Sequence, residues 1–330
     1  MKNKEKFKIF TVINLGWLGD TLLTGTLCQD IKLNYPNSKV IFIASKPFEE
    51  IALGIKGVDE VFTYDKKELH KGFWGVFKFA KNFPYKNKTD CAFVVHSHER
   101  SLLLSMAIGS KRRISAPIKN SPLNLFITDK IHYTEQMIRN TYKADFNAGY
   151  LSVLTGKKPQ SKMSFSYPKS YDEKISKILE ENNLKGEKII GICPVAKDEW
   201  RSFTPKMTAE FIELCEKENI KTMIVGAGKT ADFAQEVKKY TQINFLDLTN
   251  KTTIFELSAF INACDVFLSV DTGPMHISYT LGQKTVCAFF NKPMIEEWGP
   301  KNFDNAKILC DADEKITALS CFETCKSFLD

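Results

Sequence analysis

Several features are missing from this 330-residue chain, and each absence removes a class of function. No stretch approaches the roughly 18–20 uninterrupted apolar residues that a membrane span needs. The opening Met1-Lys2-Asn3-Lys4-Glu5-Lys6 leads straight into a short β-like run instead of a signal-peptide core, so a cytoplasmic protein is expected. Of nine cysteines, only Cys321 and Cys325 form a C-x3-C, and without a second pair at ligand spacing no metal is expected. Cys28, Cys91, Cys193, Cys264 and Cys287 lie inside apolar segments and read as small hydrophobes in a reducing compartment. No G-x-G-x-x-G follows a strand: Gly16-Trp17-Leu18-Gly19 has the wrong spacing and no matching acidic strand end, which argues against a nicotinamide oxidoreductase. Gly226-Ala227-Gly228-Lys229-Thr230 ends like a phosphate-binding P-loop, but Met223 stands where its first glycine is required. No internal repeat points to a solenoid.

What is present is the composition of a soluble globular protein, 43% hydrophobic and 26% charged, at a length that suits two domains. Charge is uneven. Residues 1–150 hold 23 Lys and Arg against 14 Asp and Glu, and residues 151–330 hold 23 against 25. A basic first half suits an anionic partner, whether nucleic acid, a phosphorylated substrate or an anionic membrane surface, or else a solvated lysine face.

Short β-branched runs alternate with helical periodicity along the whole chain. Strands are expected at 7–14, 40–44, 61–63 and 92–95, with a helix after the first that places Leu23, Leu27 and Ile31 on one face and stops at Pro36. A polar, turn-rich stretch at 156–170 is the expected linker. Thereafter the alternation restarts, with strands at 189–193, 222–225 and 244–246 and helices at 172–183, 208–218, 231–240 and 254–263. The pattern predicts an α/β protein of two domains, 1–160 and 161–330, with parallel sheets, a cleft between them and ligands at the carboxyl ends of the strands.

The stretch from Phe267 to Phe290 reads strand, tight turn, helix, strand, with Asp271-Thr272-Gly273-Pro274 at the turn. Two readings fit it. Asp271 or Thr272 caps the helix after a buried strand, or the unpaired N–H groups of the first turn hold an anion beside the positive end of the helix dipole. Asp20 starts a helix, as an N-cap, as a general base kept ionised by that dipole, or as both. His96 and His98 project to one side of a strand end, as a local hydrogen-bonded pair or the start of a metal site lacking a third ligand. Trp200-Arg201 lies on a loop after the 189–193 strand, as a ligand contact or an exposed cation.

With these segments placed, two regions carry a resemblance to a known family. Ile13-Asn14-Leu15-Gly16-Trp17-Leu18-Gly19-Asp20, followed by Tyr35-Pro36, and Asp271-Thr272-Gly273-Pro274-Met275-His276, followed by Trp298-Gly299-Pro300, resemble glycosyltransferase family 9, the lipopolysaccharide heptosyltransferases. The resemblance implies a GT-B architecture of two Rossmann-like domains, acceptor on the first and nucleotide-sugar on the second, with the last helix able to pack back on the first domain. It implies inverting transfer without an essential metal or other cofactor. Asp20 matches the catalytic base, Asp271, Thr272 and Gly273 the donor-phosphate loop, and His276 a loop-holding or donor contact. The family's cationic phosphate contact falls on Arg201, with Lys197 as its rival. On the acceptor side, His98, Lys111, Arg112 and Arg113 are the expected contacts. The expected partners are an ADP-heptose donor, a phosphorylated lipopolysaccharide core acceptor and the anionic inner-membrane surface, where the protein would be peripheral; nucleic acid is not expected. No acid follows Gly228, where some members carry a donor contact, so another nucleotide-sugar or glycan and a non-catalytic nucleotide-sugar sensor remain open.

Overall fold

The first half forms six strands, the central ones because their apolar runs bury both faces and the edge ones through backbone pairing. They are β1 (Ile9–Asn14), β2 (Lys39–Ser45), β3 (Glu60–Tyr64), β4 (Cys91–Val94), β5 (Arg112–Ser115) and β6 (Asp129–Lys130). In the computed structural model, which describes residues 7–228, 232–312 and 315–329, they form one parallel sheet of order β3-β2-β1-β4-β5-β6. Helices cover both faces, which is why β1, β2 and β4 read as nearly continuous apolar runs rather than alternating ones. The helical segment after β1 breaks at Thr24 into Leu18–Leu23 and Gly25–Asn34, yet Leu23, Leu27 and Ile31 are all fully buried as their spacing predicted. At roughly 1.5–3 kcal/mol each, those three side chains anchor the segment to the sheet.

The second half repeats the design. Its strands are β7 (Ile189–Cys193), β8 (Lys221–Ile224), β9 (Leu246–Asp247), β10 (Val266–Val270), β11 (Thr285–Phe289) and β12 (Ala306–Cys310), in the order β12-β11-β10-β7-β8-β9, again all parallel. Gly191 in β7 is dictated by packing, since a Cβ there would stand 2.7 Å from the Cys264 sulfur and 2.8 Å from the Phe267 ring. The helix Ala318–Lys326 closes this unit's own core, setting Cys321, Phe322 and Cys325 against Phe211, Ile212 and Cys215. All nine cysteines are buried free thiols.

The chain divides into compact units at Ser166/Tyr167, six residues beyond the expected boundary. The reason is local. The Asp30 carboxylate accepts the backbone N–H groups of Gln160 and Ser161, Phe165 bridges to Ile55, and Met163 and Phe165 are buried, so this polar stretch is fastened to the first unit. Lys229 and Thr230 of the P-loop-like turn, the start of the 231–240 helix and the first six residues lie outside the described residues. Among the described residues, no helix is long and apolar enough to cross a membrane.

Candidate active site

In both sheets the strand order reverses direction at one place, between β1 and β4 in the first unit and between β7 and β10 in the second. Connections leave such a point toward opposite sides, and the crevice at the carboxyl ends of the two strands is where open α/β sheets bind ligands. Asp20 follows β1, and His96 and His98 follow β4. Arg201 follows β7, and Asp271 follows β10.

At the first switch point Asn14, the last residue of β1, builds the turn. Its Nδ2 donates to the carbonyl of Asp20 (2.9 Å) and to the Thr24 hydroxyl (2.8 Å), while its Oδ1 accepts the Gly16 N–H (2.8 Å). Gly16 is required by crowding, because a Cβ would lie 2.9 Å from both Asn14 Oδ1 and Asp20 Cβ. Asp20 is not the N-cap. Trp17 occupies that position, and Asp20, three residues on, reaches back so that its Oδ2 accepts the Trp17 N–H at 3.2 Å. The carboxylate therefore sits in the positive field of the first helical turn. Beside it opens a cavity of about 210 Å³ lined by Asp20, His96, His98, Tyr133, Lys143 and Asn147, among others.

The two histidine rings meet edge to face with centroids 4.2 Å apart. His96 Nδ1 is buried and finds no hydrogen-bond partner among the described residues. Burial holds the His96 pKa below its ordinary value, His98 pushes the same way and Asp20 opposes both, so its imidazole is neutral at physiological pH. The pair is joined locally through its backbone, the His98 N–H donating to the His96 carbonyl at 2.9 Å, and among the described residues no group of three or more His, Cys, Asp or Glu is arranged to hold a metal. Tyr133, which also lines the cavity, has its hydroxyl 2.8 Å from that of Tyr150, whose hydroxyl donates to the Val95 carbonyl at 3.3 Å.

Lys111, Arg112 and Arg113 are elsewhere, which corrects their expected place among the acceptor contacts. Arg112 is level with Cys91, and Cys91 with Phe10, so all three cations lie at the amino-terminal edge of the sheet, across from Asp20. Their donors are engaged within the fold. Lys111 pairs with Asp90 at 2.8 Å, Arg112 forks onto Asp129, and Arg113 donates to the carbonyls of Phe126 (2.6 Å) and Ser110 (2.5 Å). Basic sequence at a strand start is structural here.

At the second switch point, the apolar β10 delivers Asp271 and then Thr272, the N-cap of the helix Gly273–Thr280. Neither side chain caps it: among the described residues Thr272 makes no side-chain cap bond, and Asp271 turns away to accept Arg201 Nη1 at 2.9 Å. Pro274 has no N–H and the Met275 N–H donates to the Thr272 carbonyl at 3.1 Å, so it is the N–H groups of Thr272 and Gly273 that are left to face whatever lies beyond the strand. Arg201 also donates from Nη2 to Asp198 at 2.8 Å, stacks over the Trp200 ring at 5.7 Å, and keeps a buried Nε with no partner among the described residues. Burial raises the Asp271 pKa, and Arg201 pulls it partly back. Lys197 is exposed on the same loop. His276 is buried, with Nδ1 2.6 Å from the Tyr279 hydroxyl and its ring near Trp298, and burial pushes its pKa down to about 3. It is a neutral packing and hydrogen-bonding group, one turn inside the helix.

Sequence reasoning passed over His96 as a site residue and missed Asn14, Tyr133, Asn147 and Asp198. Asn14 had a visible signal, a lone amide ending an apolar strand before a glycine turn. Tyr133, Asn147 and Asp198 reach the switch points from segments with no motif of their own.

Residues 84–326 match the family described as glycosyltransferase family 9 (heptosyltransferase). Among curated proteins, a lipooligosaccharide heptosyltransferase 2 of Campylobacter jejuni is 24% identical over 308 residues, covering 89% of this chain and 84% of that protein. Among solved structures, a glycosyl transferase family 9 protein from Veillonella parvula superposes with a TM-score of 0.87 at 19% identity, covering 98% of this chain and 97% of that one. The E. coli heptosyltransferase WaaC with ADP superposes with a TM-score of 0.74 at 15% identity, covering 97% and 99%. Two parallel six-stranded Rossmann-like sheets are the GT-B architecture these structures share.

Proposed function

This chain belongs to glycosyltransferase family 9, and from that premise we propose that it transfers heptose from an ADP-activated donor to a lipopolysaccharide core acceptor, with inversion at the anomeric carbon. The reading rests chiefly on one observation: the two sequence signatures of the family fall at the switch points of the two sheets, an acid beside a cavity in one and an uncapped helix N-terminus in the other. A similar protein has been solved with ADP, and the curated relatives are heptosyltransferases, which supports the choice of donor.

In this reading the acceptor hydroxyl enters the cavity beside Asp20, whose carboxylate takes its proton as the oxygen attacks the anomeric carbon. The bond from that carbon to the diphosphate breaks, and the electron pair leaves with the nucleoside diphosphate. The charge developing on the leaving group is met by the N–H groups at Thr272 and Gly273 and by the cations Arg201 and Lys197. Asp271 orients Arg201, and His276 with Tyr279 stiffens the helix. His96 and His98 line the acceptor side, where His96 Nδ1 can bond a sugar hydroxyl.

The test is to incubate the protein with ADP-heptose and truncated core oligosaccharides and weigh the products. A gain of one heptose residue, lost in Asp20→Asn, is expected. Product formed only from a different nucleotide-sugar overturns the donor, and donor binding without transfer to any core oligosaccharide overturns the reaction.

A further inference from the structure

After β3 the chain enters a loop and then the helix Gly75–Asn82, and this segment is built in an unusual way for a surface. One helix face is ordinary: Val76, Phe79, Ala80 and Phe83 pack into the core of the first unit. The other face carries Phe73, Trp74 and Phe77, which are 58%, 76% and 45% exposed, with ring centroids 5.5–5.7 Å apart. Leu69, 56% exposed, precedes them. Large apolar side chains scattered singly on a surface need no explanation, but three contacting aromatic rings outside the core do.

The platform is held firmly. Gly75 has a carbonyl where its side chain would be, since a Cβ would lie 2.0 Å from the His70 oxygen, and that same oxygen accepts the Tyr64 hydroxyl at 3.1 Å. His70 is locked in turn, its N–H donating to the Asp65 carbonyl (2.8 Å) and its Nδ1 accepting the Asp65 N–H (3.0 Å). The aromatic face is therefore presented by the fold.

Charge tells what it fits. Between positions 66 and 81, Lys66, Lys67, Lys71, Lys78 and Lys81 are exposed, against one exposed acid, Glu68. Lys78 follows Trp74, and Lys81 follows Phe77, by four residues, so both cations flank the aromatic face. Aromatic rings at the level of the headgroups with lysines around them match an anionic bilayer surface, where each nearby lysine adds roughly fivefold to binding. The segment also leaves the carboxyl end of β3, the same edge of the sheet from which Asp20 and the histidines project.

We propose that the Phe73–Trp74–Phe77 face, with its flanking lysines, seats the first unit on an anionic lipid bilayer. Docked there, the carboxyl edge that holds Asp20 lies at the membrane, where a lipid-linked acceptor would be met; that consequence rests on the transferase reading, whereas the docking itself does not. The test is sedimentation of the full chain with phosphatidylcholine vesicles, with and without phosphatidylglycerol, in the absence of donor and acceptor. Wild type is expected to bind the anionic vesicles and release at high salt, F73S/W74S/F77S to lose at least about tenfold in partitioning, and K66Q/K71Q/K78Q to lose anionic preference. Both variants should melt like wild type and transfer sugar normally to a soluble, lipid-free acceptor. Binding unchanged in both variants, or no binding by wild type, overturns the proposal. So does a loss of self-association in F73S/W74S/F77S without any change in vesicle binding, which would mark the face as a contact for a second copy. Failure of transfer in wild type would sink the transferase reading while leaving the vesicle result intact.

Discussion

The two switch points share a topology and differ in how their charges are handled. At β1/β4 the carboxylate of Asp20 is half-buried, borders a cavity, and has beside it an imidazole nitrogen with no partner among the described residues. At β7/β10 the cation and the acid are already joined: Arg201 spans Asp271 and Asp198. The difference follows from the chemistry each would perform. A base that collects a proton needs room and a free lone pair. A guanidinium that stabilises a leaving diphosphate must be pre-aimed in a buried site, and without a carboxylate to hold it there the desolvation cost would expel it.

Four changes probe this contrast, in falling order of effect. Asp20→Asn should cut kcat by about 10²–10⁴ with little change in melting temperature or in donor binding, measured by turnover and calorimetry. Near-normal turnover would remove Asp20 as the base. Arg201→Ala should lower stability by about 3–5 kcal/mol in denaturant titration, because Asp271 stays buried and unpaired, and R201A/D271N should recover part of the loss. If the double variant is no more stable than the single one, the pair is not coupled as described. Asn14→Ala deletes three hydrogen bonds of the β1 turn and should cost about 1–3 kcal/mol while raising KM for the acceptor more than for the donor. Equal effects on both would deny that the two switch points act separately.

The fourth effect appears only on acidification. His276 has its pKa pushed down from 6.5 to about 3 by burial, so the unfolded chain binds a proton that the folded one refuses. Its contribution to stability is complete above about 6.5 and is lost as the pH falls toward 3. The melting temperature should drop over that window and drop less in His276→Gln. A parallel fall in both proteins would assign the acid sensitivity to other groups.

Much of this was legible in the residues. The parallel α/β alternation, the strand at 189–193 and the helix at 254–263 followed from apolar runs and their lengths, since strands buried on both faces cannot hide in a sequence. Asp20 and Asp271-Thr272-Gly273 were visible because local turn chemistry and the switch point coincide in the chain. The edge strands were not. Asp129-Lys130 pairs through its backbone with Ile114 and Ser115 and has no hydrophobic signature. Charge misled at Lys111-Arg112-Arg113, where basic residues were read as acceptor contacts. Sequence shows that a cation exists and not whether Asp90 or Asp129 awaits it across the sheet. At the helix end after β10 the sequence left two readings open, and the acid that could have capped it is held by an arginine seventy residues earlier.

The crowding at Gly16 has a use beyond this molecule. Because any side chain there would press on Asn14 Oδ1 and on the Cβ of Asp20, the glycine and the acid four positions later form one unit. A related chain that keeps the acid and replaces the glycine should have a displaced carboxylate and, under the proposed mechanism, little activity in a protein that still folds. In sorting such sequences by whether this turn is intact, the glycine is as informative a marker as the acid.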